Sequence, residues 1–137
     1  METPDEVLQK YKTIVVVGLS SDPYKTSHSV ASYLQRNGYR IIPVNPDETE
    51  VLGEKAYPRL QDVPDPVEFV DVFRRPEYMA GVVDDAIATG AKVIYMQDGT
   101  ADHAAAGKAR AVGITVFENR CTMRDHSAMM WRPRSAS

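Results

Sequence analysis

The chain has 137 residues, 16 basic and 19 acidic, with 43% apolar and 26% charged side chains. That is the composition of one globular domain, and it excludes a disordered chain, a collagen-like repeat and a disulfide scaffold. A net charge of −3 argues against general nucleic-acid binding, and no apolar run reaches the roughly 18 residues of a membrane span.

A single cysteine and a charged start with no apolar h-region point to a reducing, cytoplasmic setting. A chain of this length buries roughly 65–70% of its unfolded surface, enough for a core of its own.

Near the start, Thr3-Pro4 reads as an N-cap followed by proline at the first helical position. Val7, Leu8 and Tyr11 then recur at helical spacing. Thr13 to Val17 is a continuous β-branched run, the pattern of a strand buried on both faces. Ser27 to Asn37 carries Val30, Ala31 and Leu34 on one helical face and stops at Gly38. Arg40 to Asn45 is a second strand, and Pro43 inside it predicts irregular or edge-like pairing.

Asp47 to Pro66, rich in proline, glycine and charge, reads as a long loop with at most one helical turn at Leu60 to Val63. Val67 to Phe73 is the third strand, Pro76 to Thr89 a helix closed by Gly90, and Lys92 to Gln97 the fourth strand. Ala101 to Val112 is an alanine-rich helix, and Ile114 to Phe117 the fifth strand. Met129-Met130-Trp131 is expected to pack back on the sheet as part of a terminal helix or to form a subunit contact, with core packing preferred. The tail from Arg132 to Ser137 is expected to fray.

Alternating strands and helices predict an α/β fold: a single doubly wound, Rossmann-like domain of about five parallel strands with helices on both faces. Such sheets bind ligands at the carboxyl ends of the strands, near the reversal of strand order. The first of these ends, Gly18 to Ser27, joins a glycine to several hydroxyls and to Lys25 at the start of a helix. Free amides at a helix N-terminus, with that lysine, suit a phosphate or diphosphate. The plain alternative is a βα loop whose Thr26 or Ser27 caps the helix. A standard dinucleotide site is disfavoured. Ser20 and Pro23 stand where its further glycines belong, and Asn45 stands where a ribose-binding carboxylate belongs.

The segments VVVGLSSDPYKTSHSVASYLQRNGYRIIPVNP, VLGEKAYPRLQDVP, VDVFRRPE, IATGAKVIYMQDG and GITVFENRC follow one another in that order. Over residues 12 to 126 the chain resembles the small CoA-binding proteins. These are relatives of the N-terminal domain of the succinyl-CoA synthetase α subunit and of NDP-forming acyl-CoA synthetases.

The resemblance implies coenzyme A as ligand. Gly18, Leu19, Ser20, Ser21, Lys25 and Ser27 would hold the diphosphate region, with Asn45 and Pro46 beside the adenosine. Phe73, Arg74 and Arg75 would line the crevice, and Gln97 and Gly99 would flank the pantetheine arm. Asn119, Arg120 and Cys121 would close the far end. Two departures from the family pattern add negative charge. Asp98 follows Gln97, and Asp47 and Glu48 stand where the synthetases place a basic residue.

The charges of the ligand call independently for cations at one end of the sheet, and Lys25, Arg74, Arg75 and Arg120 fall there. The plain alternative is that Arg74 and Arg75 are solvated surface charges. Cys121 beside Arg120 and Arg124 has a route to a thiolate and to a mixed disulfide with the ligand thiol, but a buried inert thiol is the commoner case. Cys121 and His126 would point about 140° apart on a helix, which argues against a nucleophile–base pair. The three histidines have no metal-ligand spacing.

The synthetases, by the same resemblance, carry a phosphorylated histidine on a further domain for which this chain has no room. The expectation is a non-enzymatic module that binds coenzyme A or an acyl-CoA. The alternatives are a component of a split acyl-CoA synthetase with a larger partner, and an NAD(H) sensor. A homo-oligomer is equally compatible with the sequence.

Overall fold

The computed structural model describes residues 2–132. Helix α1 (Pro4–Lys10) opens with the expected cap. The Thr3 hydroxyl accepts from the Glu6 amide at 3.2 Å, and the Glu6 carboxylate accepts from the Thr3 amide at 3.3 Å. Strand β1 (Thr13–Val17), helix α2 (Thr26–Arg36) and strand β2 (Arg40–Val44) follow. The chain then forms a small hairpin, β3 (Glu50–Val51) and β4 (Glu54–Lys55), and a 3₁₀ turn at Leu60–Asp62. Strand β5 (Phe69–Val72), a 3₁₀ turn at Pro76–Tyr78 and helix α3 (Met79–Thr89) come next. Strand β6 (Val93–Met96), α4 (His103–Ala111), β7 (Thr115–Glu118) and α5 (Thr122–Trp131) complete it.

Five strands form one parallel sheet in the order β2-β1-β5-β6-β7. Alternate residues of the central strands feed two cores, as the period-2 geometry of a strand requires. Ile14, Val16, Phe69 and Tyr95 pack with α1, α2 and α5, while Val15, Val17, Val70 and Ile94 pack with α3 and α4. The predicted doubly wound domain is therefore the observed one.

Two expectations need correction. The Asp47–Pro66 loop contains the β3–β4 hairpin, whose turn residues Leu52 and Gly53 both have positive φ (55° and 78°). Leucine is a poor signal for that turn, which normally calls for asparagine, aspartate or glycine. At the C-terminus, α5 buries Thr122, Asp125 and His126, with Met129 packed against the core. Met130 and Trp131 lie off that stripe and are 64% and 85% exposed, so neither packs in the core. Arg132 is held by an ion pair with Asp5; the rest of the tail expected to fray lies outside the described residues.

Pro43 sits on edge strand β2, as expected. The outer side of β2 is partly covered by Tyr57, whose amide donates to the Pro43 carbonyl and whose carbonyl accepts from the Asn45 amide.

Candidate functional site

The strand order reverses between β1 and β5, and their C-terminal ends meet at Gly18 and Phe73. The Phe73 amide donates to the Val17 carbonyl, and the Gly18 amide donates to the Val44 carbonyl, both at 2.8 Å. Two adjoining clefts open on this junction, and Gly18, Lys25 and Phe73 line both.

The first cleft, about 750 Å³, lies over the ends of β2, β1 and β5. Lys25, Arg59, Arg74 and Arg75 line it, with Asn45, Pro46 and two carboxylates, Asp47 and Asp85. Among the described residues none of those four cations has a carboxylate partner; Arg74 instead lies 4.4 Å from the Tyr78 ring centroid. The cleft is thus a concentration of unpaired positive charge at one end of a sheet.

The loop leading into α2 is largely self-bonded. The Ser20 amide donates to the Ser27 hydroxyl, the Asp22 amide to the Ser20 hydroxyl, and the Tyr24 amide to the Asp22 carboxylate. The Ser21 amide donates to the Glu48 carboxylate at 2.6 Å. Lys25 is the N-cap residue and makes no side-chain cap, and the amides of Thr26 and Ser27 have no hydrogen-bond partner among the described residues. Those amides and the Lys25 side chain form an anion-receptive corner between the two clefts.

The second cleft, about 610 Å³, is bounded by Ser20, Ser27, Gln97, Thr100, Cys121 and Met123, among others. Asp98 and Arg124 also line it and form an ion pair, so Asp98 does not stand there as a bare charge. Beneath the cleft lies a buried polar layer. The Gln97 side-chain amide donates to Asp71 at 2.5 Å and to the Thr122 hydroxyl at 3.1 Å. The Thr122 hydroxyl donates to the other Asp71 oxygen at 2.9 Å. Burial pushes the Asp71 carboxyl up to about 7, against the lowering effect of these two hydrogen bonds. Alongside, the Tyr95 hydroxyl donates to Asp125 at 2.8 Å, and burial raises the Tyr95 phenol above its usual range.

The site residues expected from the sequence divide accordingly. Gly18, Ser20, Lys25, Ser27, Asn45, Pro46, Phe73, Arg74, Arg75, Gln97 and Cys121 line one or both clefts. Leu19 does not: its side chain is fully buried in the core between the sheet and α2. Ser21 is exposed outside the clefts, with its amide held by Glu48. Gly99 and Asn119 hold each other, the Gly99 amide donating to the Asn119 side-chain oxygen at 3.2 Å.

Arg120 is committed to Asp125 through two bonds of 2.9 and 2.8 Å, which hold its guanidinium above its usual range. It is therefore a brace for α5. Cys121 and His126 are both buried. His126 bonds the Tyr33 hydroxyl at 2.8 Å, and burial lowers it below the usual imidazole range. No hydrogen bond joins it to Cys121.

Sequence reasoning missed Arg59, Tyr78, Thr100, Met123 and Arg124. Arg59 is brought to the first cleft by the backbone bridge between Val44 and Tyr57. Only its charge, in a loop after the second strand, hinted at this role.

The fold is that of an α/β Rossmann-like protein with two clefts on the rim of its sheet. The chain belongs to the CoA-binding domain family, whose model matches residues 12–127. It is 41% identical over 122 residues to the uncharacterized protein YneT of Bacillus subtilis, covering 89% of this chain and 90% of that protein. The solved structure of a hypothetical protein from Pyrococcus horikoshii superposes with a TM-score of 0.90 at 41% identity, over 93% of this chain and 89% of that one. The α subunit of an ADP-forming acetate–CoA ligase of Pyrococcus furiosus is 26% identical over 113 residues. That match takes in 81% of this chain but only 25% of the subunit.

Proposed function

We propose that this chain binds coenzyme A or an acyl-CoA across the rim of its sheet and carries out no reaction of its own. The observation that carries this reading is the pair of clefts meeting at Gly18, Lys25 and Phe73, one cationic and one lined by Gln97, Cys121 and Met123. Coenzyme A has the matching polarity, with a phosphorylated nucleotide at one end and a long amide-bearing arm at the other. In this reading the adenosine and its 3′-phosphate occupy the first cleft, among Arg59, Arg74 and Arg75. The diphosphate lies against Lys25 and the free amides of Thr26 and Ser27. The arm enters the second cleft. Family membership supports the choice of ligand.

The site itself speaks against a reaction. Among the described residues Cys121 has no base in hydrogen-bond contact, His126 is occupied by Tyr33, and nucleophile, base and oxyanion donors are not assembled together.

Titration calorimetry with coenzyme A, dephospho-CoA, NADH and ATP tests the proposal. Coenzyme A is expected to bind tightest, with dephospho-CoA weaker. NADH binding as tightly or more tightly would reject it.

The ligase α subunit among the relatives favours one second reading: that the bound cofactor is presented to catalytic domains on a separate chain. Acyl-CoA formation that appears only on mixing with a co-purifying, nucleotide-binding partner would establish that role.

A further inference from the structure

Gln97 lies at the end of β6 and is only 4% exposed, yet it lines the second cleft. Its side-chain nitrogen has two hydrogens. One goes to Asp71 and the other to the Thr122 oxygen. The Thr122 hydroxyl spends its own hydrogen on the second Asp71 oxygen. Above about pH 7, where Asp71 is ionised, its carboxylate only accepts, so the direction of every bond in this ring of three side chains is fixed. The amide of Gln97 cannot turn over without setting its carbonyl oxygen against the Asp71 carboxylate. That carbonyl oxygen, Oε1, has no hydrogen-bond partner among the described residues. It is not a sealed, unsatisfied atom either, since among the described residues no fully buried side-chain polar atom lacks a partner. Gln97 lines the second cleft.

We infer that Asp71 and Thr122 lock Gln97 so that Oε1 stands in the second cleft as a fixed acceptor for an amide N–H of the ligand's arm. Asp71 is thus a positioning residue, acting on the ligand only through Gln97. Its place explains why a carboxylate sits fully buried on a central strand, bonded to no cation. A buried carboxylate without a counter-charge is costly, and the three-membered ring is what it achieves. The lock also gives the cleft a chemical preference. An arm with an N–H at that height gains a bond, whereas an arm offering only ether or carbonyl oxygens meets lone pairs.

This assignment rests on the coenzyme A reading, and the two fail differently. The test measures affinity for coenzyme A and for adenosine 3′,5′-bisphosphate, which keeps the phosphorylated head and lacks the arm. Wild type, Gln97→Leu, Asp71→Asn and Thr122→Ser are compared at about pH 8.5, where Asp71 is ionised. Gln97→Leu is expected to weaken coenzyme A about tenfold and Asp71→Asn about threefold or more, because an asparagine lets the Gln97 amide turn over. Neither is expected to change the bisphosphate, and Thr122→Ser, which keeps the hydroxyl, leaves both ligands as in wild type.

Thermal melts accompany each variant; should Asp71→Asn not fold, Thr122→Val, which frees one hydrogen of the Gln97 amide, takes its place. Equal weakening of both ligands, or no weakening of coenzyme A, overturns the lock while leaving the coenzyme A reading intact. A wild-type chain that binds neither ligand overturns the coenzyme A reading and this assignment with it.

Discussion

A Cβ placed on Gly18 would lie 2.6 Å from the backbone carbonyl oxygen of Phe73, closer than real Cβ contacts come. Gly18 also has a φ of 86°, a conformation that L side chains rarely adopt. Gly18 is thus first an allowance for the neighbouring strand. It lets β1 and β5 end side by side, and that junction is the wall shared by the two clefts.

Gly18→Ala is therefore expected to lower stability by about 2 kcal/mol or more, since neither the backbone angle nor the facing carbonyl can yield cheaply. Urea unfolding checks this. Binding should fall for every nucleotide ligand together, because the shared wall is displaced. A variant with wild-type stability would show that the junction relaxes more easily than its geometry says.

Lys25 and Arg120 were alike in sequence, each a cation at a strand end, but the structure separates them. Lys25 has no carboxylate partner among the described residues, whereas Arg120 is bound twice by Asp125. Lys25→Ala is expected to weaken coenzyme A about 10- to 150-fold, the effect of one charge-assisted hydrogen bond. Arg120→Ala should change affinity by less than about threefold and act on stability instead, because the buried Asp125 loses its counter-charge. Calorimetry and melting curves on the two variants separate the roles.

Glu48 holds the Ser21 amide at the edge of the proposed diphosphate site. A carboxylate there repels a phosphorylated ligand, while Gln keeps an acceptor for the same amide. Glu48→Gln should tighten coenzyme A about two- to threefold at low salt, with the gain fading as salt rises. A loss of affinity would mean that the charge organises the loop more than it opposes the ligand.

How much of this was legible in the residues follows from the physics of each signal. The strands Thr13–Val17 and Val93–Met96 announce themselves because burial on both faces demands an unbroken apolar run. The cleft residues Lys25, Asn45 and Gln97 follow from strand ends alone, since the fold collects those ends on one rim. What was hidden depends on contacts distant in sequence. Arg59 reaches the first cleft only because Tyr57 bridges to Val44. Arg120 stays out of the cleft linings because Asp125, one helical turn into α5, turns back to it. Leu19 sits inside the loop motif, yet its side chain points into the core. A motif names a segment and does not say which side chains face the cleft.

Asp71 gives stability a pH dependence of definite sign. Its carboxyl is raised from 3.8 to about 7 in the folded chain, so between those values the folded state holds a proton that the unfolded state has released. The contribution of this group to stability is fully present below its unfolded value and is lost as pH rises through 7. Against Asp71→Asn as reference, wild type should lose stability across this range by at most about 1.4 kcal/mol per pH unit. Other groups, among them Glu118 and His126, cancel in that difference. Denaturant unfolding at several pH values measures it, and a difference that is flat with pH would show that Asp71 stays ionised throughout.

The central claim is that one ligand lies across the Gly18–Phe73 junction with its head in the cationic cleft and its arm over Gln97. A crystal structure of the chain with coenzyme A tests it most directly. The account predicts the adenosine near Arg59 and Arg74, the diphosphate against Lys25, and an arm nitrogen within hydrogen-bond distance of Gln97 Oε1. Coenzyme A bound away from that junction, or a rim closed by the protein's own side chains in excess ligand, would contradict it.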